Sequence, residues 1–274
     1  MLLSIIVTNY KTTEILKLCL KSFRQNLEGP DQEIIVADAE TDPEAKMEIE
    51  DSFPEVIFLE TKENAGFGAV VNRGLKIAKG DYIFIANSDI VINRREDIQK
   101  MIDYLAQNKN VGLLGPALLN VNGSRQNSCF RFYTPLIILL RRSFLDKTDF
   151  GKKILGRFSM EEEMKKNNGQ PIEVDWLMGS ALLTKKELAT KVGLFDERFF
   201  MYFEDVDWCR RFWEAGYKVI YFPQAQLYHY HIQASKKGLG LFDVFISKYT
   251  RIHLASAVKY FLKYGLKTPR YGAR

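Results

Sequence analysis

The chain of 274 residues has little cysteine and little histidine, three of each. Cys19, Cys129 and Cys209 have neither the paired spacing of a disulfide framework nor the close spacing of a zinc site. This excludes a disulfide scaffold and fits a reducing compartment. No apolar run approaches the roughly 18 residues needed to cross a bilayer. The opening Met1–Val7 has no basic flank or small-residue cleavage site, and Asn9-Tyr10-Lys11 ends it early, so it reads as a buried strand rather than a signal peptide. There is no internal repeat. Nor is the chain short of core-forming residues: at 46% hydrophobic and 13% aromatic it can bury a full core, which excludes disorder.

The net charge of +5 is unevenly spread. Residues 236–274 carry nine Lys/Arg against one acid, Asp243, which leaves a slightly acidic body. The tail has an amphipathic pattern over Leu241–Tyr264, with Leu241, Phe242, Phe245, Tyr249, Ile252 and Ala255 or Ser256 on one face and Lys248, Arg251, Lys259 and Lys263 at its margins. Such a helix either lies on an anionic membrane surface or packs on the body or on a second subunit. Basic charge confined to one helix with an apolar face argues against nucleic-acid binding.

The first 120 residues alternate strand and helix. Leu2–Val7, Glu33–Ala37, Val56–Leu59 and Tyr82–Ala86 are short, near-continuously apolar strands, and Thr13–Phe23, Pro43–Asp51, Gly66–Ala78 and Arg94–Gln107 are helices. This order predicts an α/β fold with a mostly parallel twisted sheet, whose ligands bind at the carboxyl ends of the strands. Residues 120–170 read as a long irregular segment with an apolar stretch, Pro135–Leu140, between arginines, and Lys152–Lys166 reads as exposed. Order resumes over Ile172–Thr184, an acidic helix and Tyr217–Tyr230.

Several clusters carry chemistry. Gly66-Phe-Gly-Ala-Val-Val follows a strand but has Val71 at the third glycine of a dinucleotide fingerprint, so it fails that test. Asp38 follows the second strand, as a turn former or as a contact to a base or ribose. Asn87 and Asp89, two apart in an extended segment, share a face and suit a hard divalent ion that also takes diphosphate oxygens; a plain Asx turn is the other reading. His229 and His231 also share a face, as ligands or as structural residues. Asp196–Arg211 packs five acids and three arginines among aromatics. From Glu204 the spacing is helical, so Glu204, Asp205 and Asp207 form either a capping turn or a site where crowding and apolar walls prepare a carboxylate to take a proton.

Taken together, Ser4-Ile-Ile-Val-Thr-Asn-Tyr with Cys19-Leu-Lys-Ser, Asn64–Gly74, Gly80-Asp81-Tyr, Asn87-Ser-Asp89, Gly179-Ser-Ala and Gly193–Arg210 resemble the inverting glycosyltransferases of family 2, and within them the bacterial rhamnosyltransferase-like branch. The resemblance covers most of residues 1–235. It implies a GT-A fold, Rossmann-like with a mostly parallel central sheet flanked by helices, and a C-terminal amphipathic helical extension. The glycosyltransferase domain would span 1–235, with a nucleotide-sugar half over about 1–120 and an acceptor half over about 121–235, followed by the tail 236–274.

The implied reaction moves a sugar with inversion from a nucleotide-diphosphate donor, dTDP-L-rhamnose best, onto a glycan or polyprenyl-diphosphate-linked acceptor in cell-surface polysaccharide assembly. It implies Asp205 as the base, with Glu204 or Asp207 orienting it. Thr8, Asn9, Tyr10, Asp38, Asn64, Gly66, Phe67, Asn72, Asn87 and Ser88 would bind the donor. Asp89, Asn87 and His229 would hold Mg²⁺ or Mn²⁺, and Trp176, Gly179, Arg131 and His231 would meet the acceptor, with a core tryptophan the equal reading of Trp176 and a solvated surface arginine that of Arg131. It also implies a cytoplasmic enzyme at the inner face of the plasma membrane, touching it through 241–264, with a homodimer as the alternative use of that helix. Lys11, Ala39-Glu40 and the Asn-Ser-Asp form of the metal segment depart from the family pattern. The same reaction with galactofuranose, N-acetylglucosamine, mannose or glucose stays open, as does a scaffold that binds without turnover.

Overall fold

A computed structural model describes residues 2–27, 31–230, 247–269 and 271. The first part is β1 (Leu3–Asn9), α1 (Thr13–Asn26), β2 (Gln32–Asp38), α2 (Pro43–Ser52), β3 (Ile57–Leu59), α3 (Phe67–Ile77), β4 (Tyr82–Asn87), β5 (Ile90–Val91) and α4 (Arg95–Gln107). Each predicted strand and helix of this half is present within one to three residues at its ends. The second part is β6 (Val111–Leu119), β7 (Cys129–Phe130), α5 (Pro135–Arg141), a 3₁₀ turn (Phe144–Lys147), α6 (Asp149–Phe158), α7 (Glu161–Lys166), β8 (Ile172–Glu173), β9 (Trp176–Leu177), β10 (Ala181–Lys185), α8 (Lys186–Val192), α9 (Glu204–Glu214), β11 (Lys218–His229) and α10 (Lys248–Tyr264).

The main sheet runs β3-β2-β1-β4-β10-β6-β11-β5, with β8 also on β11. The first four strands are parallel, and β10 is antiparallel to both of its neighbours, β4 and β6. β11 is parallel to β6 and antiparallel to β5 and β8. The expected mostly parallel sheet is therefore found, with antiparallel insertions that no sequence period announces. Two apolar cores flank it: Leu16, Leu20, Phe23, Phe84 and Met101 lie in one, and Val71, Trp208, Phe212 and Tyr260 in the other.

Two expectations are corrected. Residues 135–166 are not irregular but form three short helices and a 3₁₀ turn. Their starts are locally encoded, since Pro135 opens α5 behind the Thr134 cap and the Thr148 hydroxyl caps α6 by accepting from the Gly151 N–H. The tail helix buries Thr250, His253, Ser256, Ala257 and Tyr260. This face includes the expected Ser256 but runs one residue past the predicted Tyr249 and Ile252, because Thr250 and His253 do not score as apolar. The predicted Leu241, Phe242 and Phe245 lie outside the described residues. Among the described residues no helix is long and apolar enough to cross a membrane.

α10 is tied to the body by charge as well as packing. Asp207, fully buried on α9, accepts from Arg211 at 2.8 Å one turn on, from the Tyr264 hydroxyl at 2.8 Å and from the Lys263 ammonium. The Ser256 hydroxyl donates to Met201 O at 2.9 Å and Lys259 to Arg198 O at 2.7 Å. Removing one partner of a buried ion pair costs about 3–5 kcal/mol, and the low end applies here because Lys263 and Arg211 keep some solvent contact. Asp207→Ala is therefore expected to lower unfolding free energy by about 3 kcal/mol, read from the urea midpoint by circular dichroism. A change under about 1 kcal/mol would show that solvent screens the network.

Candidate functional site

Strand register sets the site. β1 pairs Asn9 with Asp38 on β2 and Thr8 with Asn87 on β4, so these four polar residues end three adjacent strands in a row. They are cross-linked. Asn9 Nδ2 donates to Asp38 Oδ1 at 2.7 Å, Thr12 Oγ1 donates to Asn9 Oδ1 at 2.7 Å and lies 3.1 Å from the Ser88 hydroxyl, and Thr8 Oγ1 donates to Asn87 Oδ1 at 3.2 Å. The cleft above this edge is lined by Thr8, Asn9, Tyr10, Asn64, Gly66, Phe67, Asn87, Ser88 and Asp89, all expected donor or metal residues. Thr12, Ile15, Ala39, Val70, Met201 and Tyr230 join them. Asp38 sits behind Asn9 rather than in the cleft lining, buried.

The register of β5 and β11 brings the second group together. His229 pairs with Ile90, and the Tyr230 N–H donates to Asp89 O at 2.9 Å, so His229 Nε2 lies 3.3 Å from Asp89 Oδ1. On its other side, His229 Nδ1 is 2.7 Å from Gln126 Oε1. The Gln126 amide nitrogen donates to Asn120 Oδ1 and His229 O, both at 2.9 Å, so its oxygen must accept. The hydrogen-bond network thus places a proton on Nδ1 and turns Nε2 toward the Asp89 carboxylate. Asp89 Oδ1 is buried and has no hydrogen-bond partner among the described residues. A histidine nitrogen and a carboxylate oxygen that face one another across 3.3 Å are a donor set that a cation could share. Among the described residues no three His, Cys, Asp or Glu side chains gather into a closed metal cage. Two protein ligands beside an open cleft fit a hard divalent ion that takes its remaining oxygens from a ligand and water.

β10 joins the acid cluster to this edge. The Asn87 N–H donates to Ser180 O at 2.9 Å, which brings Gly179 alongside the end of β4. The Gly179 N–H then donates to Asp205 Oδ2 at 3.0 Å, while Asp205 Oδ1 accepts from the Val206 N–H at 2.8 Å. A Cβ at Gly179 would lie 3.2 Å from the Phe67 ring and 3.4 Å from Asp205 Cβ, so the chain passes close between cleft wall and acid. Gly66, at φ +95°, meets the Phe200 backbone so closely that a Cβ would lie 2.2 Å from Phe200 O. The cleft's glycine therefore seats the loop before α9. Tyr202 and Phe203 both hold positive φ at the start of α9, a strained entry that sets the direction of the acids.

Within that turn the acids differ. Glu204 is buried, its Oε2 has no partner among the described residues, and burial together with the neighbouring Asp205 pushes its pKa well up. Asp205 is partly exposed; burial raises its pKa to about 6 against the opposing pull of the Gly179 and Val206 N–H groups. Asp207 is the anchor of α10 instead, its oxygens held by Arg211, Lys263 and Tyr264.

Other expected contacts are placed elsewhere by the packing. Trp176 is buried, stacked on Phe130 at 4.5 Å and Tyr133 at 5.5 Å, and donates to Arg131 O, so it belongs to the core and has no face for a sugar. Arg131 pairs with Glu163 at 2.9 Å and Asp175 at 3.5 Å. Asn72 is buried and brackets the Phe195 backbone, donating to its O and accepting from its N–H, both at 2.9 Å, so it ties α3 to the loop before α9 and makes no cleft contact. His231 lies outside the described residues. Gln126 and Thr12, which the sequence reading missed, had no signal beyond being polar residues in loops.

A raised carboxylate pKa costs stability once the group ionises. The folded Glu204 holds its proton to higher pH than the unfolded chain, so its contribution is intact below the unfolded value of about 4.3 and is lost as pH rises through the folded value. Glu204→Gln is expected to unfold at a higher temperature than the parent at pH 8, with the difference shrinking toward pH 4. Parallel melting curves with a constant offset would contradict this.

With the geometry in view, the comparisons can be stated. The family model for glycosyl transferase family 2 matches residues 4–211. The N-acetylglucosaminyl-diphospho-decaprenol L-rhamnosyltransferase of Mycobacterium tuberculosis is 28% identical over 249 residues, 83% of this chain and 76% of that protein. The rhamnosyltransferase WbbL of Escherichia coli K12 is 27% identical over 192 residues, 70% of this chain and 66% of that protein. Among solved structures, GalNAc-T7 with UDP, GalNAc and Mn²⁺ superposes with a TM-score of 0.63 at 12% identity, covering 86% of this chain and 44% of that one. A mannosyltransferase from Pyrobaculum calidifontis with GDP-Man and Mn²⁺ gives 0.58 at 18% identity, over 97% of this chain and 65% of that one. These two likenesses speak for the fold, which is GT-A. The strands β1 to β10, most of the cleft and the acid turn fall within the matched span, with β11 and Tyr230 beyond it, and the chain belongs to glycosyl transferase family 2.

Proposed function

We propose that this chain is an inverting glycosyltransferase that takes its sugar from a nucleotide diphosphate, dTDP-L-rhamnose best, and passes it to a lipid-linked saccharide acceptor in cell-surface polysaccharide assembly. The observation that carries the reading is Asp205, a partly exposed carboxylate with a raised pKa, hydrogen-bonded to Gly179 beside the cleft wall. The choice of rhamnose and of a lipid-linked acceptor leans on the two rhamnosyltransferase relatives.

In this reading the row at the ends of β1, β2 and β4 receives the nucleotide. Tyr10 and Asn9, the latter held from behind by Asp38, meet base and ribose, and the Asn64–Phe67 turn meets the sugar side of the cleft. Asp89 and His229, with Asn87 beside them, would hold a divalent cation, Mg²⁺ or Mn²⁺. When bound, the cation supplies positive charge against the diphosphate that departs. Gln126 keeps the His229 proton on Nδ1. On the acceptor side, the attacking hydroxyl forms the new bond to the anomeric carbon from the face opposite the leaving group. The anomeric carbon–oxygen bond to the diphosphate breaks, and the hydroxyl proton passes to a carboxylate oxygen of Asp205. Glu204, protonated by its burial, would leave Asp205 as the single anion of the pair, which keeps it basic.

Asp205→Asn should retain nucleotide binding and the fold while turnover falls by about 10²–10⁴, followed as release of nucleoside diphosphate in the presence of acceptor. Parent-like turnover would remove Asp205 from this role. In the parent, kcat should rise with pH through an apparent value near 6.

Gln126→Leu removes the partner that fixes the tautomer, and is expected to weaken Mn²⁺ binding by about 10–100-fold. Titration by electron paramagnetic resonance of the free ion reads this without any turnover. Unchanged affinity would show that the ring orients itself.

A further inference from the structure

Thirteen large apolar side chains are exposed among the described residues, and four of them fall between positions 136 and 150: Leu136, Leu139, Phe144 and Phe150. Phe144 is 78% exposed and Phe150 63%. They sit on α5, the 3₁₀ turn and the start of α6, three short elements that pack on one another. A Cβ at Gly151 would lie 1.9 Å from Leu145 O, so α6 is seated directly on the turn that carries Phe144. The same segment is basic. Arg141 to Arg157 holds six Lys/Arg against two acids, and Arg141, Lys147, Lys152, Lys153 and Arg157 are exposed. Apolar tips among cations on short amphipathic elements suit the interface of an anionic bilayer. A protein groove would leave the same lysines to be neutralised one by one.

The unit also adjoins the acid turn. Tyr133, just before α5, packs tilted against Phe203 at 4.7 Å, one residue from Glu204, and Arg142 donates to Thr250 of α10 at 3.0 Å. We propose that the α5–α6 unit is the surface by which this chain docks on an anionic lipid bilayer, with Phe144 and Phe150 entering the interface and Lys147, Lys152, Lys153 and Arg157 meeting lipid phosphates. This differs from docking through the tail, whose described inner face is already buried on the body. It rests on the glycosyl-transfer reading only for what the bilayer presents to Asp205.

The test is sedimentation of the full chain with phosphatidylcholine vesicles, with and without phosphatidylglycerol, over a salt series. Three proteins are compared: the parent, Phe144→Ser/Phe150→Ser, and Val258→Ser/Leu262→Ser on the outer face of α10. All four substituted side chains are exposed, so the fold should persist. The parent should pellet with anionic vesicles and be released by salt. The phenylalanine variant should lose vesicle affinity by about ten-fold or more, and the α10 variant should keep it. Parent-like pelleting of the phenylalanine variant overturns the proposal, as does a parent that ignores anionic vesicles. Self-association that vanishes in the phenylalanine variant, without vesicle binding, overturns it in favour of a second copy. Nucleotide binding by thermal shift, measured on the same samples without lipid, separates failure of this surface from failure of the enzymatic reading.

Discussion

Two carboxylates are held next to one another at the start of α9, Glu204 buried and Asp205 partly exposed, and much of the structure serves to keep them there. Burial raises the cost of ionising both, and at Glu204 the charge of Asp205 adds to it. The turn does not relax because it is clamped on every side. Gly179 and Val206 bind Asp205. Arg211 reaches back to the carbonyls of Val192, Gly193 and Leu194, Trp208 donates to Gly193 O, and Asn72 holds Phe195. Two left-handed residues, Tyr202 and Phe203, lead into the helix. Asp207, one turn deeper, directs its own charge to α10, so the tail helix braces the acid turn from behind.

The sheet supplies the opposite wall by register alone. Parallel pairing of β1 with β2 and β4 lines up Thr8, Asn9, Asp38 and Asn87, and antiparallel pairing of β5 with β11 sets His229 against Asp89. β10, inserted antiparallel between β4 and β6, is the mechanical link between walls, since Gly179 and Ser180 at its entry touch both Asp205 and Asn87. A shift of β10 by two residues would part the acid from the strand ends. The site is thus a property of pairing between distant segments, built from side chains that each half positions separately.

What could be read in advance follows the range of the interactions. The strands and helices of the first half were legible because apolar runs and helical periods are local signals. The acid turn and Asn87-Ser-Asp89 were legible because their chemistry is compact in sequence. Trp176, Arg131 and Asn72 were misplaced because their partners lie 32 to 125 residues away, and nothing local distinguishes a stacked core tryptophan from one that faces a ligand. Gln126 shows the reverse: a loop glutamine acquires a role only when β11 returns 103 residues later. The α10 face slipped by one position at Thr250 and His253, whose burial depends on what they meet, while Ser256 lies on it as expected.

The central claim is that the row of strand ends and the Asp89–His229 pair form one nucleotide-diphosphate site. Thermal shift of the full chain with dTDP, UDP and GDP, each with Mn²⁺, with Mg²⁺ and with chelator, tests it directly. The account predicts a rise in melting temperature that needs both nucleotide and cation and ranks dTDP first. Equal, small shifts for all nucleotides, unchanged by chelator, would contradict it.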